Sequence, residues 1–379
     1  MTIVNADHHF ILSTHEKFLI QGTRPRIPAR RRNRTLSLLI ASALTAGLAT
    51  AAIAASGCGS SEATAEAKAA TTHESMDMTS TAPADPAIAN AEKNTQDAAA
   101  PKYRPGKVQR VVMDMLEKNM EIAPGKVVKV WTFGKKVPGP VIRVRVGDTV
   151  EVTINNKGTI AHSVDFHAAR IAPDKAFKNV DPGDSFTFSF TATTPGVFMY
   201  HRGTAPVVHH IANGMHGMII VEPEGGLPPV EQEFAFVQSD FYVSDTPGQP
   251  ADNTKLMANE PDIVAFNGYA AQYKDTPIKV KRGEPVRAFV LAAGPNTWSA
   301  FHVVGTIFDR AWIDGIHPEN LSIGNQTLNL SASQGAVAEF RLDQEGVYPF
   351  VTHDSTNATK DAVGLFATTH ATVKAGGGH

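Results

Sequence analysis

Ile142-Arg-Val-Arg-Val-Gly-Asp-Thr-Val150 and Ile278-Lys-Val-Lys-Arg-Gly-Glu-Pro-Val286 are two versions of one phrase. In each, branched apolar residues alternate with cations, a Gly-acid pair turns the chain, and a new apolar run begins. Alternation with period two is the signature of a strand with one buried face, and the Gly-acid pair is turn chemistry. The likeness extends downstream. Ser163-Val-Asp-Phe-His167 corresponds loosely to Ser299-Ala-Phe-His302. Pro182-Gly-Asp-Ser-Phe-Thr-Phe-Ser-Phe190 matches Gln334-Gly-Ala-Val-Ala-Glu-Phe-Arg-Leu342. Gly196-Val-Phe198, running on to His201, matches Gly346-Val-Tyr348, running on to His353. Two copies of a strand-rich unit predict an all-β protein of two similar sandwiches in tandem. Gly and Pro cluster over Glu222 to Pro229, which places the junction there and gives domains at 105–226 and 227–375. Residues 252–262 are the one weak helical candidate after residue 105.

Upstream of the sandwiches the composition changes. Residues 59–104 are rich in Ala, Ser, Thr, Asp, Glu and Pro, with almost no large apolar side chains, and predict a flexible tether. Its His73, Met76 and Met78 could bind copper only loosely. Before it, Arg30, Arg31, Arg32 and Arg34 precede a mostly apolar run from Leu36 to Ala55, followed by Ser56-Gly57-Cys58. Residues 1–58 thus read as a signal peptide ending in a sequence that resembles a bacterial lipobox, with Cys58 as the lipidated residue. An uncleaved membrane anchor is the alternative, since about 20 residues span a bilayer. Either way the expected location is exported, in the cell envelope, held by a lipid anchor to the outer face of a membrane. Cys58 is the single cysteine, so the sandwiches carry no internal disulfide. A formal net charge of −2 gives no basic field for nucleic acid.

The histidines carry the chemistry. His162 and His167 are five apart, an odd spacing that sends two strand side chains to opposite faces. His201 and Arg202 are adjacent and point apart for the same reason. One face then gathers His162, Arg202, His210 and Met215; the other gathers His167 and His201, with room for a histidine from another domain or subunit.

Ala161-His-Ser-Val-Asp-Phe-His-Ala168, Gly196-Val-Phe-Met-Tyr-His201 and His210-Ile-Ala-Asn-Gly-Met215 resemble the copper-binding segments of the copper-containing nitrite reductases. The likeness runs over roughly 105–375. It implies tandem cupredoxin-like Greek-key β-sandwich domains of the multicopper oxidase superfamily, assembled as a homotrimer that reduces nitrite to nitric oxide. It implies that His167, His201 and His353 bind the catalytic copper, with histidines drawn from two subunits. It also implies that His162, His210 and Met215 belong to a blue, type 1 copper. Asp165 stands in the place of the family's catalytic aspartate, and Phe301-His-Val-Val304 resembles the segment that supplies a second proton donor, His302. Turn stabilisation by Asp165 and a core role for His302 are the plainer alternatives.

The chain departs from the family at Arg202, where the type 1 copper has its cysteine. Arginine has no lone pair and keeps its charge. The expectation is therefore a type 2 copper protein with a degenerate type 1 site, in which Arg202 pairs with a carboxylate or binds an anion. Nitrite is the expected substrate, and the electron donor is not legible. The alternative is a non-catalytic copper-binding or scaffold lipoprotein derived from that family. A two-domain laccase is the third and weakest reading, because that family needs several His-x-His pairs and a His-Cys-His run and this chain has neither.

Overall fold

The structure, a computed structural model, describes residues 85–203, 206–368 and 371. The signal and lipidation expectations at 1–58 and the residues His73, Met76 and Met78 lie outside the described residues.

The first sandwich is built from β1 (Glu92–Lys93), β2 (Val108–Ala123), β3 (Lys126–Phe133), β4 (Ile142–Arg145), β5 (Thr149–Asn156), β6 (Asp165–Phe166), β7 (Ser185–Thr191), β8 (Gly196–His201) and β9 (His216–Glu222). One of its sheets runs β1-β2-β5-β7 with β3 on the other side of β2; the facing sheet runs β4-β9-β8-β6. The second contains β10 (Gln232–Phe241), β11 (Ile263–Phe266), β12 (Ile278–Val280), β13 (Val286–Gly294) and β14 (Ser299–Val303). It continues with β15 (Arg310–Ile313), β16 (Thr327–Leu330), β17 (Gly335–Phe340), β18 (Val347–Thr352) and β19 (Val363–Thr368). Its sheets run β11-β10-β13-β17-β15 and β12-β19-β18-β14-β16.

The repeat in sequence is a repeat in pairing. β4 and β12 open the repeated phrase, and each lies parallel to the last strand of its own sandwich, Ile142 opposite Ile219 and Ile278 opposite Phe366. β2–β5 and β10–β13 are both parallel; β8–β9 and β18–β19 are both antiparallel. The fold is the pair of tandem β-sandwiches that the repeat predicts.

Alternation is clean where one face meets water. In β5, Val150, Val152, Ile154 and Asn156 point inward while their neighbours are half-buried. β13 is buried on both faces. Its Val286, Ala288 and Val290 join the second core around Phe236 and Phe350, while Phe289 and Leu291 meet Val197, Met199 and Met218 of the first sandwich. The sandwiches therefore dock through a dry layer that presses on β8 and β9, the strands that carry the candidate ligands. Buried Arg143 on β4 reaches Glu233 of the second sandwich at 2.7 Å, and Arg287 reaches the same carboxylate at 2.6 Å.

The tether expectation fails over residues 85–104. β1 pairs with Met120 and Glu121 of β2, and Ala99 bridges to Phe234. Asn94 is buried and donates to the carbonyls of Val137 and Gly268, one from each sandwich. The polar composition concealed this because the segment is held by backbone pairing and a buried amide rather than by large apolar side chains. The weak helical candidate is real but short, Asn253–Ala258, with the Asp252 carboxylate accepting from the Lys255 amide at 2.9 Å.

Candidate metal centre

At one end of the first sandwich, β6 pairs with β8 so that Asp165 lies opposite His201 and Phe166 opposite Tyr200. Phe166 and Tyr200 turn inward and stack at 5.0 Å. Their burial forces the alternate residues outward, and Asp165, His167 and His201 emerge together. The Nε2 atoms of His167 and His201 are 2.9 Å apart. Ligand atoms of Asp165, His167 and His201 all lie within 4.8 Å of one another, the one group of three or more such side chains among the described residues that could hold a metal ion.

His201 Nδ1–H donates to its neighbour's carbonyl, Arg202 O, at 2.6 Å. That bond fixes the tautomer and leaves the Nε2 lone pair for an outside partner. Two nitrogens sharing a metal through ~2.0 Å bonds at tetrahedral to square angles stand ~2.8–3.3 Å apart. The observed separation falls in that range, so these residues fit a copper or zinc ion. Crowding of the His167 ring, with His201 beside it, holds its pKa below the ordinary imidazole value, while Asp165 pulls the other way. The neutral, ligating form is thereby favoured.

His353 and His302 sit on the second sandwich. The His353 amide donates to Ala300 O at 2.7 Å, and the two rings lie 4.9 Å apart between centroids. His302 Nδ1 makes a close contact with the Gln326 carbonyl. Within one chain this pair is not part of the Asp165 cluster. Trp298, Val304, Ile307 and Ile323 leave apolar surface exposed on the same sandwich.

The other face of β8 is buried. The parity argument rested on a strand that here comprises only Asp165 and Phe166, yet His162 and His167 do separate: His162 is buried and His167 exposed. His210 lies on a short helix, Val207–Ala212, rather than in a loop. Gly214 takes φ +109°, and a Cβ there would meet Val137 at 2.4 Å, so only glycine permits the turn that brings Met215 inward. Arg202 N donates to Met215 O at 3.3 Å, and the Arg202 guanidinium makes a close Nη2 contact with Ala161 O.

Two residues here have no signal in the sequence, Glu117 on β2 and Trp131 on β3. Glu117 accepts from His162 Nε2 and from the Thr159 amide, both at 2.9 Å. Burial pushes the Glu117 carboxyl up, but those bonds outweigh it and leave it below the usual carboxylate range. Trp131 packs against His210 with centroids 4.6 Å apart. Only long-range strand pairing brings either residue to this place.

This set does not fit a copper ion. His210 Nδ1 is held by Pro206 O at 2.9 Å, and burial, with Arg202 nearby, lowers its pKa to about 4. Arg202 is only 4% exposed, and its Nε and Nη1 have no acceptor among the described residues. Burial lowers its pKa to about 10, with Glu117 opposing, so at neutral pH a guanidinium cation occupies this place.

Comparison with known proteins places these features in a family. Residues 114–226 match the family model described as multicopper oxidase. The chain is 44% identical over 269 residues to the copper-containing nitrite reductase of Neisseria gonorrhoeae, covering 69% of this chain and 68% of that protein. The copper nitrite reductase structure from Nitrosomonas europaea superposes with a TM-score of 0.65 at 35% identity, over 70% of this chain and 95% of that one. A copper-containing nitrite reductase from Thermus scotoductus gives 0.65 at 33% identity, over 69% of this chain and 62% of that one.

Proposed function

Because the chain belongs to the copper-containing nitrite reductase family, whose cofactor is copper, we propose that it reduces nitrite to nitric oxide at the His167–His201 centre. The observation that carries this reading is the pair of Nε2 atoms 2.9 Å apart beside the Asp165 carboxylate. Bound copper would supply a Lewis acid for nitrite and a relay for the electron.

The chain's own residues do the rest. His167 and His201 hold two coordination positions, and the Arg202 carbonyl keeps the His201 ring in the ligating tautomer. A third ligand comes from His353 of the partner subunit in a homotrimer. The exposed Trp298, Val304, Ile307 and Ile323 on the sandwich that carries His302 and His353 support such a contact surface. Reduction of nitrite takes one electron and two protons and releases water. Asp165 stands within reach of the metal position to deliver a proton as the N–O bond breaks, and His302, brought with His353, serves as the second donor. The electron comes from a donor that does not pass through His162, His210 and Met215, because Arg202 blocks a type 1 copper there. The signal over 1–58 and Cys58 support an exported protein held by a lipid anchor.

The second reading, a copper-binding protein without turnover, draws on Arg202 alone. Steady-state nitrite reduction by the copper-loaded full chain with a small one-electron donor decides between them. Nitric oxide release with a type 2 electron paramagnetic signal is the expected result. Copper bound at one per chain with no turnover would leave the second reading standing.

A further inference from the structure

Beside the buried histidine cluster lies a cavity of about 480 Å³, lined by Trp131, Ala161, Arg202, Pro206, His210 and Asn213 among others. Arg202 is the one formally charged residue in that lining. Its guanidinium forms one hydrogen bond, from Nη2 to Ala161 O, while Nε and Nη1 have no acceptor among the described residues. Both oxygens of Glu117, the nearby carboxylate, are engaged, one by His162 and one by Thr159. A buried cation with unused donors is costly, and a bound acceptor relieves that cost.

We propose that this cavity is a binding site for a small planar monoanion, a carboxylate or an inorganic oxyanion of the nitrate type, held by the Arg202 guanidinium. Two observations set the class. A guanidinium matches a planar two-oxygen edge better than a sphere. The walls at Ile160, Pro206, Pro250 and Ala251 are apolar, with His209 also in the lining, so Arg202 supplies the one fixed positive charge and a single negative charge matches it. Neither free nitrogen touches solvent, so binding turns the guanidinium toward the cavity that it lines. The site is separate from the metal centre, because His201 and Arg202 point to opposite faces of β8.

Trp131 in the wall supplies the readout. The copper-loaded full chain is titrated with sodium nitrate and, separately, with sodium acetate, against sodium sulfate at matched ionic strength. A saturable change in tryptophan emission that disappears in W131F is expected. A response to nitrate alone identifies an inorganic ligand, to acetate alone a carboxylate, and to both the shared chemistry. R202Q should weaken binding about ten- to a hundredfold, the effect of removing a charged hydrogen-bonding partner. R202K, which keeps the charge without the planar fork, should fall between, and it carries the test if R202Q does not fold. No saturable response overturns the assignment. So does a response that survives in W131F, one unchanged in both Arg202 variants, or one matched by sulfate.

Discussion

Two histidine clusters hang from the same strand end, one residue apart, and they have opposite characters. His167 is exposed and His201 half-buried, with their Nε2 atoms converging beside a carboxylate. His162 and His210 are buried, tied by Glu117 and the Pro206 carbonyl, with the Arg202 guanidinium beside them and bonded to Ala161 O. Imidazoles are present in both, so histidine content does not make a metal site. What differs is where the lone pairs point and what charge is already there. A cation with no lone pair fills the second site, and it stands where a metal would have to sit although its Nε and Nη1 find no acceptor among the described residues.

The largest effect expected from this contrast is at the His167–His201 pair. His201→Ala should reduce bound copper to background and abolish nitrite reduction, a loss greater than the about 10–100-fold that removal of an outer partner costs. His162→Ala should leave copper content unchanged. Metal analysis of both variants checks the contrast, and copper loss in His162→Ala would mean that the clusters had been assigned the wrong way round.

Asp165→Asn comes next. It keeps the shape and removes the proton, so copper should stay bound while turnover falls about 10²–10⁴-fold, the usual worth of a positioned acid. Equal loss of copper and turnover would make Asp165 a ligand instead.

Arg202→Cys converts one cluster toward the other. It removes the cation and places a thiolate among His162, His210 and Met215, a set suited to blue copper. About one further copper per chain and a visible blue colour are expected, with faster turnover from donors that reduce such a centre. A colourless variant would show that His162 and His210, as tied to Glu117 and Pro206, no longer form a ligand set.

How much of this was legible beforehand depends on whether the cause was local. The repeated phrase at Ile142 and Ile278 was enough for the sandwiches, because period-two burial is a local pattern that any one-faced strand must obey. Parity separated His162 from His167 correctly, although β6 is two residues long and the true divider is the inward stack of Phe166 on Tyr200. Residues 85–104 were misread because β1 and Asn94 act through backbone pairing and a buried amide, which composition does not record. Glu117 and Trp131 were invisible for a related reason: their distance in sequence from His162 and His210 is closed only by the pairing of β2 with β3 and β5. Sequence reading identified the charge at Arg202 but not that its Nε and Nη1 would be buried without an acceptor among the described residues.

The smallest effect concerns pH and tests how thoroughly the face of β8 behind His201 is sealed. His216 begins β9 directly opposite His201, fully buried, with Nδ1–H donating to Ile211 O at 3.2 Å and Nε2 without a partner among the described residues. Burial lowers its pKa to about 4 from an ordinary value near 6.5. The unfolded chain therefore takes up this proton first as pH falls, and the folded chain resists until about pH 4. Stability should drop progressively from about pH 6.5 to about pH 4 and then level off for this group, by on the order of 3 kcal/mol over the whole span. His162 and His210, also depressed by burial, add to the same slope. Urea midpoints of the full chain at pH 7 and pH 5 measure it, and His216→Gln should flatten the difference. An unchanged slope in that variant would mean that water reaches His216, and that the layer behind His201 is less sealed than the burial of His216 requires.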